Sequence, residues 1–334
     1  MRIYKLKFLS ALHVDSRGSG EPETAEEFIR SDTLSAALCL SWASVFREIG
    51  LDFFMDPPFR VSSAFPFIRT VRLYPAPVWR IWAEDTKDEA RKRLKSVKWV
   101  SQGLFDRLTA GRRLTEAGIY PLHEGVAVSN EEAAADPGLR EARAWIMSER
   151  QRVSVDRLNL PGEGGLFFFP IQFFAPDAGL WFLADGESDD LDKLRAALDF
   201  LGDTGIGADR NSGLGHFMVA GQEDFSPPKP SADGCVALSL FNPTTTELSA
   251  GLVRGAAYGL TTRSGWISGT TLGRAPTRAF TEGSYFPARP EGRVLPMLNE
   301  DIRERFGLDH PAPRDFRAVS LPCARPACLK EDRT

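Results

Sequence analysis

Five glycines crowd the fourteen positions from Gly202 to Gly215, in the run LGDTGIGADRNSGLG that starts at Leu201. A helix-to-strand turn uses one or two. Glycine reaches positive φ and lacks the Cβ that keeps a ligand's phosphate away from main-chain N–H groups. Successive amides in such a loop form a concave anion nest, and Arg210 at its centre carries a planar fork suited to a phosphate or a base edge. The chemistry on offer is the holding of a polyanion. Two nucleotide motifs are excluded. The stretch Gly205-Ile206-Gly207-Ala208-Asp209-Arg210 lacks the third glycine of a dinucleotide fingerprint and follows a helical pattern, and no Gly-Lys-Ser/Thr occurs in the chain.

Other side chains extend that chemistry. Arg152 and Arg157 flank an alternating segment that places Arg152 and Ser154 opposite Val153 and Val155, the pattern of a hairpin thumb able to pass between nucleotides. Arg263, beside Gly265 and Trp266 and followed by Arg274 and Arg278, offers forks and a stacking ring of the kind that reads single-stranded RNA. Trp266 is equally suited to a core. The four histidines, His13, His123, His216 and His310, are scattered, with no Tyr or Lys partner at a telling spacing. A His13 that helps an RNA 2′-OH attack its own phosphate is therefore disfavoured, and His13 is expected to contact RNA or to be structural. His216 stays open between the same two roles. Asp32, just before Thr33-Leu34, reads as a helix N-cap rather than a nuclease carboxylate.

The elements that must position these residues follow from periodicity. Arg2 to Phe8 alternates as a strand. Ser31 or Asp32 starts a helix with Leu34, Leu38, Trp42, Val45 and Ile49 on one stripe. Leu166–Phe174 and Leu180–Ala184 are β-prone runs around a Pro176-Asp177-Ala178-Gly179 turn, which predicts a hairpin. A helix from Asp190 to Gly202 buries Leu191, Leu194, Leu198 and Leu201, the glycine loop follows, and Leu214–Ala220 closes as a strand. Strand, helix, strand, strand, helix, strand is the split βαβ unit. The expected fold is α+β, with a ferredoxin-like (RRM-like) first domain and a second unit that opens with the alternating strand Val236–Phe241. The first spans residues 1–225 with an insertion at 51–165, a Pro-rich linker covers 226–233, the second domain spans 234–308, and the tail 309–334 is expected to be disordered.

Composition narrows the class. The 334 residues carry a net charge of −4, which argues against a nucleic-acid binder relying on a global positive field. Yet 32 of the 41 basic residues are arginine, and from Arg254 to Arg293 six arginines face only Glu282 and Glu291. One basic face on an acidic body suits an RNA-contacting subunit of a larger assembly. Cys39 and Cys235 read as buried thiols, and Cys323 and Cys328 lack the partners of a zinc site, so neither metal nor cofactor is expected. No apolar stretch approaches a membrane span and Met1–Tyr4 begins a strand, so the cytoplasm is expected.

Several motifs, in order, carry a resemblance: Leu12-His13, Ser31-Asp32-Thr33-Leu34, Ser62-Ser63-Ala64-Phe65-Pro66-Phe67, the segment from Gln151 to Arg157, the glycine loop, Arg263-Ser264-Gly265-Trp266-Ile267 and Phe280-Thr281-Glu282-Gly283-Ser284. From Met1 to about Leu298 the chain resembles the fourth Csm subunit of type III-A CRISPR effector complexes, within the RAMP superfamily. Ala208 stands where a glycine is usual and Ser154 where threonine is common. The resemblance implies two ferredoxin-like (RRM-like, split βαβ) domains and a non-catalytic subunit for antiviral defence. Such a subunit binds the repeat-derived 5′ tag of the guide RNA, meets target RNA indirectly, and joins the large signalling subunit to the backbone RAMP subunit. A metal-independent endoribonuclease that processes guide precursors is the alternative. The residues expected to touch RNA are His13, Arg152, Ser154, Arg157, Gly205, Ile206, Gly207, Arg210, Ser212, Gly213, Gly215, Arg263, Arg274 and Arg278. Gly207→Val is expected to spare the fold and weaken guide retention.

Overall fold

The computed structural model describes residues 1–15, 25–47, 49–79, 81–82, 86–123, 125–153, 165–227, 233–267, 270, 272–308 and 312–329. The opening strand, Arg2–Phe8, lies between Ala178–Gly186 and Phe217–Asp224, antiparallel to both. Beyond Ala178–Gly186 come Phe59–Val61 and Phe65–Ile68, again antiparallel. Two helices, Ser31–Val45 and Ser188–Thr204, cover one face of this sheet. Leu34, Leu38 and Trp42 of the first meet Leu191, Leu194, Leu198 and Leu201 of the second over Tyr4 and Leu6. The protein is α+β, and this unit has the ferredoxin-like order with the last strand beside the first.

The pairing corrects one expectation. Leu166–Phe174 does not pair with the strand that follows it; its partner is Trp145–Val153, in register from Trp145 opposite Phe174 to Val153 opposite Leu166. The second ferredoxin-like strand is instead supplied by residues 59–68, inside the stretch read as insertion. The reason lies in burial. Ala178–Ala184 is buried on both faces, with Leu180, Phe182 and Ala184 under the helices and Trp181 and Leu183 on the other side. Such a strand needs covered neighbours on both flanks, and Phe65–Ile68, itself wholly buried, meets that need. The insertion then continues the same sheet through Val71–Pro75, Trp99–Ser101, Val126–Ser129 and Ile119–His123, so it shares the core on the second face of the sheet.

The second unit shares with the first a central strand between two antiparallel neighbours, while its helices Thr245–Ser249 and Glu300–Phe306 are short and bury no residue of their own. Cys235–Ala237 is central, flanked by Tyr285–Phe286 and Ser320–Pro322. The tail is therefore ordered over 312–329, against expectation. Arg314–Arg317 pairs with Gly292–Leu295, and Phe316, Val319 and Leu321 are buried. Charge and proline hid the apolar alternation of Val319, Leu321 and Cys323, which join the core on the second face of the large sheet. Residues 228–232 of the linker lie outside the described residues.

Candidate nucleic-acid interface

Where the second helix ends, Gly205 turns the chain at φ +81° and its N–H bonds the Leu201 carbonyl at 2.7 Å. Gly207, Gly213 and Gly215 also have positive φ. These glycines let the loop fold back on itself. The Ile206 N–H donates to Gly215 (3.0 Å), the Ala208 N–H to His13 (3.0 Å) and the Gly215 N–H to Ala11 (2.8 Å). A Cβ at Gly215 would be driven into the Ile206 carbonyl oxygen, and one at Gly207 into that of His13. The open anion nest is corrected accordingly: these amides are spent inside the protein, and Gly205, Ile206 and Gly215 are buried. Gly207→Val is corrected with them, since it strikes the backbone of the neighbouring loop. What the loop offers to solvent is its apex, where Arg210, Asn211, Ser212 and Gly213 are exposed.

The apex is braced from a distant segment. Asp209 adopts a left-handed conformation (φ +59°), which a short polar side chain tolerates. Its carboxylate accepts a hydrogen bond from Arg152, whose guanidinium lies 4.1 Å from the centroid of the Phe169 ring. Cross-strand pairing of Arg152 with Phe167 brings it one diagonal step from Phe169. On that ring's other neighbour, His13 stacks at 4.1 Å, and its Nδ1 is 2.6 Å from the Pro170 carbonyl oxygen. His13 is 2% exposed, wedged between hairpin and loop. Phe169, Ile171, Ala11 and Leu214 pack beneath. Sequence reasoning missed Asp209 and Phe169. Nothing in the spacing links Asp209 to Arg152, because only tertiary folding brings them together. Ser154 and Arg157 lie outside the described residues.

The arginines of the second unit part company. Arg278 is exposed on Thr277–Phe280, and Trp266, 57% exposed, is a surface ring rather than core. Arg263 is 3% exposed and cannot meet RNA. It grips Asp32, with Nε to Oδ2 at 3.1 Å and Nη2 to Oδ1 at 3.3 Å, while Arg314 approaches the same carboxylate at 3.5 Å. Burial alone would raise the Asp32 pKa, yet the charges of Arg263 and Arg314 hold it below the usual carboxylate range. The helix itself starts after Arg30, without a side-chain cap, so the N-cap assigned to Ser31 or Asp32 is corrected: Asp32 sits in the first turn, where its Oδ1 accepts from the Thr33 N–H at 2.9 Å, and both side chains also bond to the other unit. Ser31 Oγ accepts from the Leu240 N–H at 3.0 Å, and Ser63 Oγ accepts from the Ser31 N–H (2.9 Å) and donates to Glu282. Arg30 bridges Glu26 (2.7 Å) and Glu282 (2.8 Å). Burial alone would lower the Arg30 pKa, but the charges of Glu282 and Glu26 keep it above its ordinary value. Four of the motifs singled out in the sequence thus meet in one buried polar seam between the two units. Arg274 borders a cavity at that seam.

Two family models match the chain: the RAMP superfamily over residues 74–217, and the CRISPR Csm4 C-terminal domain over residues 231–312. The match to the RAMP superfamily takes in the glycine loop and most of the sheet that continues the first unit. Among curated relatives, "CRISPR system Cms protein Csm4" of Mycobacterium tuberculosis (strain CDC 1551 / Oshkosh) is 26% identical over 281 residues, covering 79% of this chain and 82% of its own. The protein of the same name from Thermococcus onnurineus (strain NA1) is 26% identical over 271 residues, covering 79% and 83%. A solved chain of the Csm3-Csm4 subcomplex in the type III-A CRISPR-Cas interference complex has a TM-score of 0.68 at 16% identity, covering 96% of this chain and 98% of that one. A chain of the Csm1-Csm4 cassette in complex with cA4 has a TM-score of 0.60 at 19% identity, covering 97% and 98%. The chain thus matches the Csm4 C-terminal domain over residues 231–312 and is similar to curated Csm4 proteins over about four fifths of its length. Among the described residues no helix is long and apolar enough to cross a membrane.

Proposed function

We propose that this protein is the non-catalytic subunit of a type III-A CRISPR ribonucleoprotein that holds the 5′ tag of the guide RNA. The observation that carries the reading is the Arg152–Asp209 contact, which joins the hairpin to the glycine-loop apex and leaves Arg210 and Ser212 exposed on it. Such a braced surface meets a single strand with little ordering cost, because its conformation is already set. The stowed position of His13 supports a holding role over cleavage: its ring is covered by Phe169 and one nitrogen is engaged by a backbone carbonyl. The assemblies of the similar solved chains, one with Csm3 and one with Csm1, support giving this chain contacts to the backbone RAMP and large signalling subunits. Its net charge of −4 repels generic RNA in bulk, so affinity and tag specificity arise when neighbouring subunits close the channel.

The test is guide binding by the purified subunit, then by the reconstituted complex with and without it. Tag-dependent retention in the complex is expected, and Arg210→Ala lowers the slope of log affinity against log salt by about one. Tight, tag-specific binding by the subunit alone overturns the assembly dependence. Cleavage of a repeat RNA in EDTA, abolished by His13→Ala, overturns the non-catalytic role.

A further inference from the structure

A cavity of about 320 Å³ opens between the first helix, Ser31–Val45, and the second unit. Its volume is at the lower end of sites that take small molecules, roughly 300–1,000 Å³. The walls are mostly apolar, with Leu40, Leu51, Phe54 and Ile267 among them, and two charged side chains reach it, Asp315 and Arg274. The charges do not neutralise each other. The Asp315 carboxylate is held by Arg317 through bonds of 3.0 and 2.8 Å and by Ser35 at 3.0 Å. Arg274 makes no side-chain hydrogen bond or ion pair among the described residues, and its Nε is buried without a partner.

The charge behind Arg274 is also unbalanced. Arg314, 5% exposed, leaves Nε and Nη1 without hydrogen-bond partners. The carboxylate nearest this group is Asp32, already gripped twice by Arg263. One carboxylate thus pairs with two guanidiniums, and Arg274 feels its charge only from a distance. Burial pulls Arg314 down to about 10, with the Arg274 and Arg263 charges adding to the fall against the pull of Asp32. Burial lowers Arg274 as well. A cation kept from water with no anion of its own is costly unless another molecule supplies one.

We propose that this cavity binds a small organic monocarboxylate with an apolar body, its carboxylate on Arg274 and its body against Leu40, Leu51, Phe54 and Ile267. The guanidinium fork matches a carboxylate in two parallel bonds. A dianion such as a phosphate monoester is disfavoured, since Asp315 shares the wall and Asp32 lies behind, and both repel a second negative charge.

The full-length chain, labelled at Ala, Leu and Ile methyls, is titrated with 2-naphthoate and with the neutral isostere 2-naphthylmethanol. The acid is expected to shift the Leu40 and Ile267 methyls and to bind about ten- to a hundredfold tighter than the alcohol, the range for a hydrogen bond to a charged partner. Arg274→Gln should bring the two to near equality. Equal affinity of acid and alcohol for the wild-type chain, binding of neither, or shifts confined to methyls elsewhere overturns the proposal, whether or not the variant folds.

Discussion

Replacing Asp32 with asparagine keeps the shape of the side chain and removes the negative charge that pairs with Arg263 and Arg314. Both partners are almost wholly buried, so neither guanidinium can recover the loss from water. Breaking a buried pair in this way costs roughly 3–5 kcal/mol, a large share of the about 5–15 kcal/mol that holds a typical domain folded. The melting temperature should fall by about 4–7 °C at this chain length, given an unfolding entropy of roughly 2.1 cal/mol/K per residue. Differential scanning calorimetry and urea titration of the purified chain read it. A double variant, Asp32→Asn with Arg263→Met, should be less damaged than the sum of the two singles, because it removes a stranded cation together with its lost partner. A loss below about 1 kcal/mol for Asp32→Asn, or strict additivity in the cycle, would refute the seam as an energetic feature.

Three further outcomes follow from the same geometry. Gly215→Ala should abolish the folded loop, whereas Gly213→Ala, with open space around its Cβ, should cost only about 1 kcal/mol of left-handed strain; hydrogen exchange of the Ile206 and Ala208 amides, which donate within the folded loop, distinguishes the two. Truncation after residue 311 removes Arg314–Arg317 and Ser320–Pro322 from two sheets, and limited proteolysis should then cut within 234–308, which resists in the full chain. On acidification, the unfolded chain protonates Asp32 near its ordinary 3.8 while the folded chain holds the proton off to lower pH. Stability contributed at neutral pH is therefore lost as pH falls below about 4, and urea midpoints should show a shallower acid limb in Asp32→Asn than in wild type.

What the chain determined alone was whatever rests on local periodicity and backbone freedom. The alternation of Arg2–Phe8, the stripe of Leu34, Leu38 and Trp42 and the density of glycines after Leu201 are properties of neighbours in sequence and appear where the pattern places them, whereas the helix stops at an exposed Val45 and leaves Ile49 outside it. Tertiary structure decided everything that depends on which surfaces meet. Leu166–Phe174 is β-prone in either arrangement, and only the two-sided burial of Ala178–Ala184 assigned its neighbour to residues 59–68. Arg263 and Arg210 carry the same fork, yet one is sealed against Asp32 and the other stands at the loop apex. Residue type sets what a guanidinium can bind. Burial and the charge beside it set what it does bind, and those depend on segments more than two hundred residues apart.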